Sequence, residues 1–192
     1  MKELVFLLEE RSAQALLETM LPRLLNSEVQ PRYIPFEGKQ DLEKQLIRRI
    51  RAYQNPRARF MVLRDQDNHP DCVALKRALM TLCENTGKLP ACLVRIACRE
   101  LESFYLADLV AVEKAFGIAK LAAQQSGKKF RTPDHLGSPS HELGKLTRGR
   151  YQKISGSRML GVHLDLSNQR SPSFRNLIRG IRRMETELMT LA

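Results

Sequence analysis

No stretch of this sequence approaches the roughly 18 uninterrupted apolar residues that a membrane-spanning helix needs, so a transmembrane segment is excluded. Met1–Leu8 is followed at once by Glu9, Glu10 and Arg11, which a secretory leader would not carry, and a cytoplasmic protein is expected. The four cysteines, Cys72, Cys83, Cys92 and Cys98, form no CxxC pair and lie in apolar periodic segments. This argues for reduced, buried thiols over a zinc ribbon or a disulfide framework. No glycine-rich phosphate loop or Walker motif is present, so the chain should not hydrolyse ATP itself. Internal repeats and low-complexity tracts are also missing. Tryptophan is absent too, but that absence excludes nothing.

What remains is an ordinary globular composition, with 43% hydrophobic and 28% charged residues over 192 positions, enough for one domain with a sizeable core. The net charge of +11 is unevenly placed. Lys128 through Arg183 holds thirteen Lys/Arg against only Asp134, Glu142 and Asp165. Such concentration suits a polyanion, most commonly nucleic acid, although a solvated basic surface would look the same.

The apolar pattern alternates between two element types. Leu4–Leu8, Phe60–Leu63 and Ala91–Ala97 are short continuous apolar runs, the pattern of strands buried on both faces. Tyr33 and Ile34 between Pro31 and Pro35 suggest an edge strand, because proline cannot donate to a ladder. Helical spacing is read over Ala13–Leu25 with Ser12 as its cap, Asp41–Tyr53, Val73–Cys83 closed by Gly87, and Phe104–Phe116 stopped by Gly117. Strands alternating with helices predict a mainly parallel, Rossmann-like α/β sheet of about four strands over residues 1–127. Residues 128–192 read as a basic helical extension packed on that core. It is broken by Thr132-Pro133 and Ser138-Pro139, and a final helix begins at Ser171-Pro172-Ser173.

Sites in parallel sheets form at the carboxyl ends of the strands. Three of the four strands end in acids: Glu9 and Glu10, then Asp65 and Asp67, then Glu100 and Glu102. Asp65 and Asp67 are two apart, so in an extended segment they would project to the same side and approach one hard cation together, with Glu9 joining from a neighbouring strand. Oxygen ligands of this type favour Mg²⁺ or Mn²⁺ over zinc. Each acid also has a plainer reading: Glu10 as a surface residue or helix-dipole partner, Asp67 as a turn residue before Pro70.

The segment Leu7-Leu8-Glu9-Glu10-Arg11-Ser12 and the later Leu63-Arg64-Asp65-Gln66-Asp67 resemble the opening glutamate and the Asp-x-Asp motif of TOPRIM domains. Arg99–Asp108 and Asn168–Phe174 resemble an uncharacterised bacterial family of small TOPRIM-like proteins, similar to the TOPRIM portion of OLD-family nucleases. Some members of that family are encoded beside an AAA-type ATPase. The resemblance implies a TOPRIM-like fold and Mg²⁺- or Mn²⁺-dependent phosphodiester cleavage in bacterial defence, with such an ATPase as partner. It makes Glu9 the metal-associated general acid or base, Asp65 and Asp67 metal ligands, and Glu102 an accessory carboxylate. Glu10 departs from the pattern, which prefers glycine there, and Ala13 stands where many relatives carry a further acid.

Lys153 is a candidate stabiliser of the pentavalent transition state. Arg148, Arg150, Lys153, Arg158, Arg170 and Arg175 are candidates for holding a phosphate backbone, contacts that carry no base specificity. Tyr151 and Phe174 could stack on bases, Phe174 being the better core residue. His69 fits a turn about as well as a ligand, and His135 and His141 lack ligand spacing. The alternative to a nuclease is a catalytically silent partner whose sheet and basic arm serve assembly or nucleic-acid docking. A phosphorylation-receiver reading fails at the fourth strand, where Arg99, Glu100 and Glu102 stand in place of a Ser or Thr.

Overall fold

A computed structural model describes residues 1–191. Four parallel strands, β1 (Lys2–Leu8), β2 (Val29–Pro35), β3 (Ala58–Asp65) and β4 (Cys92–Ala97), form one sheet in the order β2-β1-β3-β4. The proline-bearing β2 lies at the edge, where a missing ladder donor costs least.

β1 shows why the runs are continuous. Leu4, Phe6 and Leu8 face one core, and Val5 and Leu7 face another, all with no exposed surface. On the second face, Leu42, Leu46 and Ile50 of α2 (Lys39–Arg51) and Leu79 and Cys83 of α3 (Cys72–Glu84) close the layer. The first face is covered by α1 (Arg11–Met20) and by everything that follows β4. The result is a three-layer, Rossmann-like α/β fold.

The chain after β4 is where expectation and structure differ. The helix expected over Phe104–Phe116 is two, α4 (Glu102–Leu106) and α5 (Leu109–Phe116), because the Asp108 side chain accepts the Ala111 N–H and starts a new helix. Gly117 stops α5 in the left-handed region, φ 60°. The first helix starts at Arg11, so Ser12 is not its cap; the Ser12 hydroxyl donates instead to Glu10 at 3.2 Å. α3 ends at Glu84, ahead of Gly87. Residues 128–191 supply α6 (Pro139–Leu146), α7 (Lys153–His163) and α8 (Pro172–Thr190), and their Leu143, Leu160, Phe174 and Ile181 belong to the same core as Phe6 and Leu16. α7 lies directly on α1: a Cβ on Gly161 would meet the Leu16 carbonyl oxygen at 2.7 Å. No helix among the described residues is long and apolar enough to cross a membrane.

Candidate functional site: an acidic cluster at the sheet's switch point

β1 and β3 are neighbours, yet the chain leaves β1 toward β2 on one side and returns to β3 on the other. Their carboxyl ends therefore flank the topological switch point, where ligands of open α/β sheets bind. Glu9, directly after β1, and Asp65, the last residue of β3, meet there: the Asp65 N–H donates to Glu9 Oε2 at 3.0 Å. Glu102, the first residue of α4, approaches from the β4 side and is only 2% exposed, against 8% for Glu9.

These acids are held in an environment that disfavours their charge. Burial raises the Glu9 carboxyl above its ordinary range, and the Asp67 and Glu10 charges add to that against the Asp65 amide and Arg64. Asp65, sunk among protein atoms with only a partial opening to solvent, is pushed up strongly by burial and then by the charges of Glu102 and Glu9, opposed by the Leu101 amide. Burial also raises Glu102, in spite of the Tyr151 hydroxyl that donates to its Oε1 at 2.8 Å. In all three carboxyls burial outweighs the donors and positive charges that reach them.

Two cations lie close. Lys153 opens α7, and its ammonium contacts both carboxylate oxygens of Glu10, at 3.0 and 3.1 Å. Burial would lower the Lys153 ammonium, but the Glu10 hydrogen bond and the charges of Glu10, Glu102 and Asp65 outweigh it and raise it. The buried Arg64 guanidinium pairs with Glu43 at 2.7 Å and stands 3.8 Å from Glu9.

Asp67 is placed otherwise than its spacing suggested. β3 ends at Asp65, and Asp67 sits in the left-handed region, φ 52°, with its N–H donating to the Arg99 carbonyl at 2.7 Å. The extended Asp65/Asp67 pair is thus not formed, and the Asp67 carboxylate pairs with Lys39 at 3.3 Å. His69 takes its turn role, its Nδ1 accepting the Asp71 N–H.

Of the basic candidates, only Lys153 touches the cluster. Arg158 pairs with Glu18 at 3.0 Å, and the Arg170 and Arg175 guanidinium groups reach the Ala107 carbonyl and Gln169 respectively. Arg148 and Arg150 are exposed on the turn before α7. Tyr151, read as a base-stacking residue, instead binds Glu102 through its hydroxyl while its ring packs on Gly156. Phe174 is core. The residues that sequence reasoning missed, Lys39, Arg64 and Tyr151 as partners of the acids, carry no local signal, since their contacts join distant segments. The Glu10–Lys153 pair spans 143 positions.

The donors fit a hard divalent cation in chemistry, being carboxylate oxygens only, with Glu9, Asp65 and Glu102 as the residues that could hold one. Among the described residues, no three His, Cys, Asp or Glu side chains are grouped closely enough to hold a metal ion as they stand. Mg²⁺ ordinarily keeps several waters and needs only one or two carboxylates.

The chain matches none of the curated proteins and none of the solved structures. Residues 8–182 match a family model described as a domain of unknown function, DUF4276, a span that includes Glu9, Asp65, Glu102 and Lys153. The chain belongs to the DUF4276 family.

Proposed function

We propose that this protein is a divalent-metal-dependent nuclease, or the nuclease subunit of a larger assembly, with a TOPRIM-like acidic site that uses Mg²⁺ or Mn²⁺. The observation that carries the reading is the meeting of Glu9 and Asp65 at the switch point of a parallel sheet, with Glu102 facing them and their charged forms under-compensated. Structural acids are normally paired or hydrogen-bonded until their charge is stabilised. Here the deficit is what a bound cation would supply. Held by Glu9 and Asp65, such a cation would supply activation of water and neutralise charge on the leaving oxygen.

The chain's own residues then divide the work. Asp65 and Glu9 would hold the ion with Glu102 in support, and Asp67 would join only if its pair with Lys39 opens. Glu9, raised above its ordinary range by burial, is the carboxyl placed to take up and release a proton. Lys153, released from Glu10, offers an ammonium to a phosphate oxygen. Arg148, Arg150, Arg158, Arg170 and Arg175 hold the backbone of DNA or RNA. In a cytoplasmic defence role, an AAA-type ATPase partner would supply the ATP chemistry for which this chain has no motif.

A second reading has its own observation. Glu10 occupies Lys153, Lys39 occupies Asp67, and no complete ligand set is formed among the described residues, which suits a catalytically silent partner or nucleic-acid-docking protein. Cleavage of plasmid DNA, single-stranded DNA and total tRNA with Mg²⁺ or Mn²⁺ separates the two. Metal-dependent cutting that is lost in both Glu9→Ala and Asp65→Ala supports the nuclease. The absence of cutting by the wild type on all three substrates supports the silent partner.

A further inference from the structure

The four cysteines fall into two facing pairs. Cys83 of α3 and Cys92 of β4 interact inside the second core, with 0% and 8% exposure, and the Cys92 thiol donates to the Lys88 carbonyl at 3.3 Å. Cys72 and Cys98 form the other pair. Cys72 is the first residue of α3, and Cys98 is the first residue after β4. Both are only partly buried, and both line an open pocket of about 370 Å³ with Gln66, Arg99, Asp134 and His135. The Cys72 and Cys98 side chains share the wall of that pocket, near enough for Cys72 to act on the Cys98 thiol.

We propose that Cys72 and Cys98 form a peroxide-sensitive modification site that closes to an intramolecular disulfide. A peroxide is the oxidant. The Cys72 sulfur attacks the O–O bond, giving a sulfenic acid and releasing hydroxide, which takes up the thiol's proton to leave as water. The Cys98 sulfur then attacks the sulfenyl sulfur, and the hydroxyl leaves as a second water with the Cys98 proton. Two thiols and one peroxide thus become one disulfide and two waters. Cys98 is assigned the second step because burial first, and then the Asp134 charge, push its thiol up to about 12, which makes it a poor first attacker on peroxide, and it gives up its proton only as it attacks the sulfenyl sulfur. The pocket gives the oxidant access that the Cys83/Cys92 pair lacks.

The position of the cross-link gives it a consequence. It would tie α3 to the connection that leaves β4, where the Arg99 carbonyl binds the Asp67 N–H and the Leu101 amide supports Asp65. The chemistry of the thiol pair does not depend on the nuclease reading.

The test is treatment of the intact chain with a small excess of hydrogen peroxide, followed by thiol counting and peptide mapping under non-reducing conditions. Two of the four thiols should be lost, with a Cys72–Cys98-linked peptide in the monomer that a dithiol reductant dissolves. Cys72→Ala should lose no thiol to a disulfide, and Cys98→Ala should accumulate a sulfenic acid that a dimedone-type reagent traps. Retention of all four thiols in the wild type, cross-links only between chains, or preferential linkage of Cys83 to Cys92 would each overturn the proposal. The wild-type map alone decides the matter if a variant fails to fold.

Discussion

A buried glutamate stands at each end of β1, Glu3 inside the strand and Glu9 directly after it, and the two are treated in opposite ways. Glu3, 6% exposed, accepts hydrogen bonds from Arg32 Nε at 2.9 Å, Tyr53 Oη at 2.9 Å and Asn55 Nδ2 at 2.7 Å. Burial pushes its carboxyl up, but these donors together hold it below its ordinary range. Glu9, 8% exposed, has one amide donor and an arginine 3.8 Å away, and its carboxyl is raised. Similar exposure therefore leaves the two carboxyls in opposite states; the depth of protein around each and the completeness of its partner set separate them. Glu3 is a finished network at the amino end of the sheet, and Glu9 is an unfinished one at the end where ligands bind.

The largest effect that would sharpen this contrast is on activity. Glu9→Gln and Asp65→Asn should each reduce metal-dependent cleavage by about 10²–10⁴-fold, the range for removing a general acid–base or metal-holding group. Glu3→Gln should leave the rate per folded molecule unchanged. Initial rates on a labelled substrate check both, and an equal loss in Glu3→Gln would break the comparison.

Stability should respond in the reverse order. Glu3→Ala strips Tyr53 and Asn55 of their acceptor and should cost about 1–3 kcal/mol in urea unfolding near neutral pH. Because the folded state lowers the Glu3 carboxyl, its contribution is present above the unfolded-state value. It is lost as pH falls through the folded one, so wild type and variant should converge in acid.

Asp65→Asn should do the opposite and stabilise the fold by about 0.5–2 kcal/mol near neutral pH. The fold raises the Asp65 carboxyl, so the wild type is most stable where this group is protonated and loses stability as pH rises through the folded value. The gain from asparagine should therefore fade on acidification. A destabilised Asp65→Asn at pH 7 would mean that the ionised carboxylate is already satisfied.

The smallest effect concerns the exposed arginines. Replacing Arg148 and Arg150 together by alanine should weaken nucleic-acid binding at low salt and flatten the dependence of log K on log salt by about 0.9 for each duplex phosphate that is no longer neutralised. An unchanged slope in a salt titration by anisotropy would remove this turn from the interface.

The contrast between Glu3 and Glu9 also marks what the sequence makes legible. The strands were readable because Leu4–Leu8 and Phe60–Leu63 are apolar at every position, which only burial on both faces requires. The acids at their ends followed from strand order alone. Which acids are satisfied was not readable: Tyr53 and Asn55 reach Glu3, and Tyr151 reaches Glu102, across about 50 positions with no periodic signature. Asp67 was readable as a turn residue before Pro70, but its left-handed backbone was not, because the contact at its amide comes from the Arg99 carbonyl beyond the next strand's end. α7 was missed for a different reason. Its Gly156, Ser157 and Gly161 are buried by close approach to Tyr151 and α1 and give no apolar stripe.

The most direct test of the unfinished-network account is Mn²⁺ binding to the intact chain by calorimetry near neutral pH, comparing wild type, Glu3→Gln and Glu9→Gln. The account predicts a site in the wild type that is retained in Glu3→Gln and lost in Glu9→Gln. No binding by the wild type, or equal binding by all three, would contradict it.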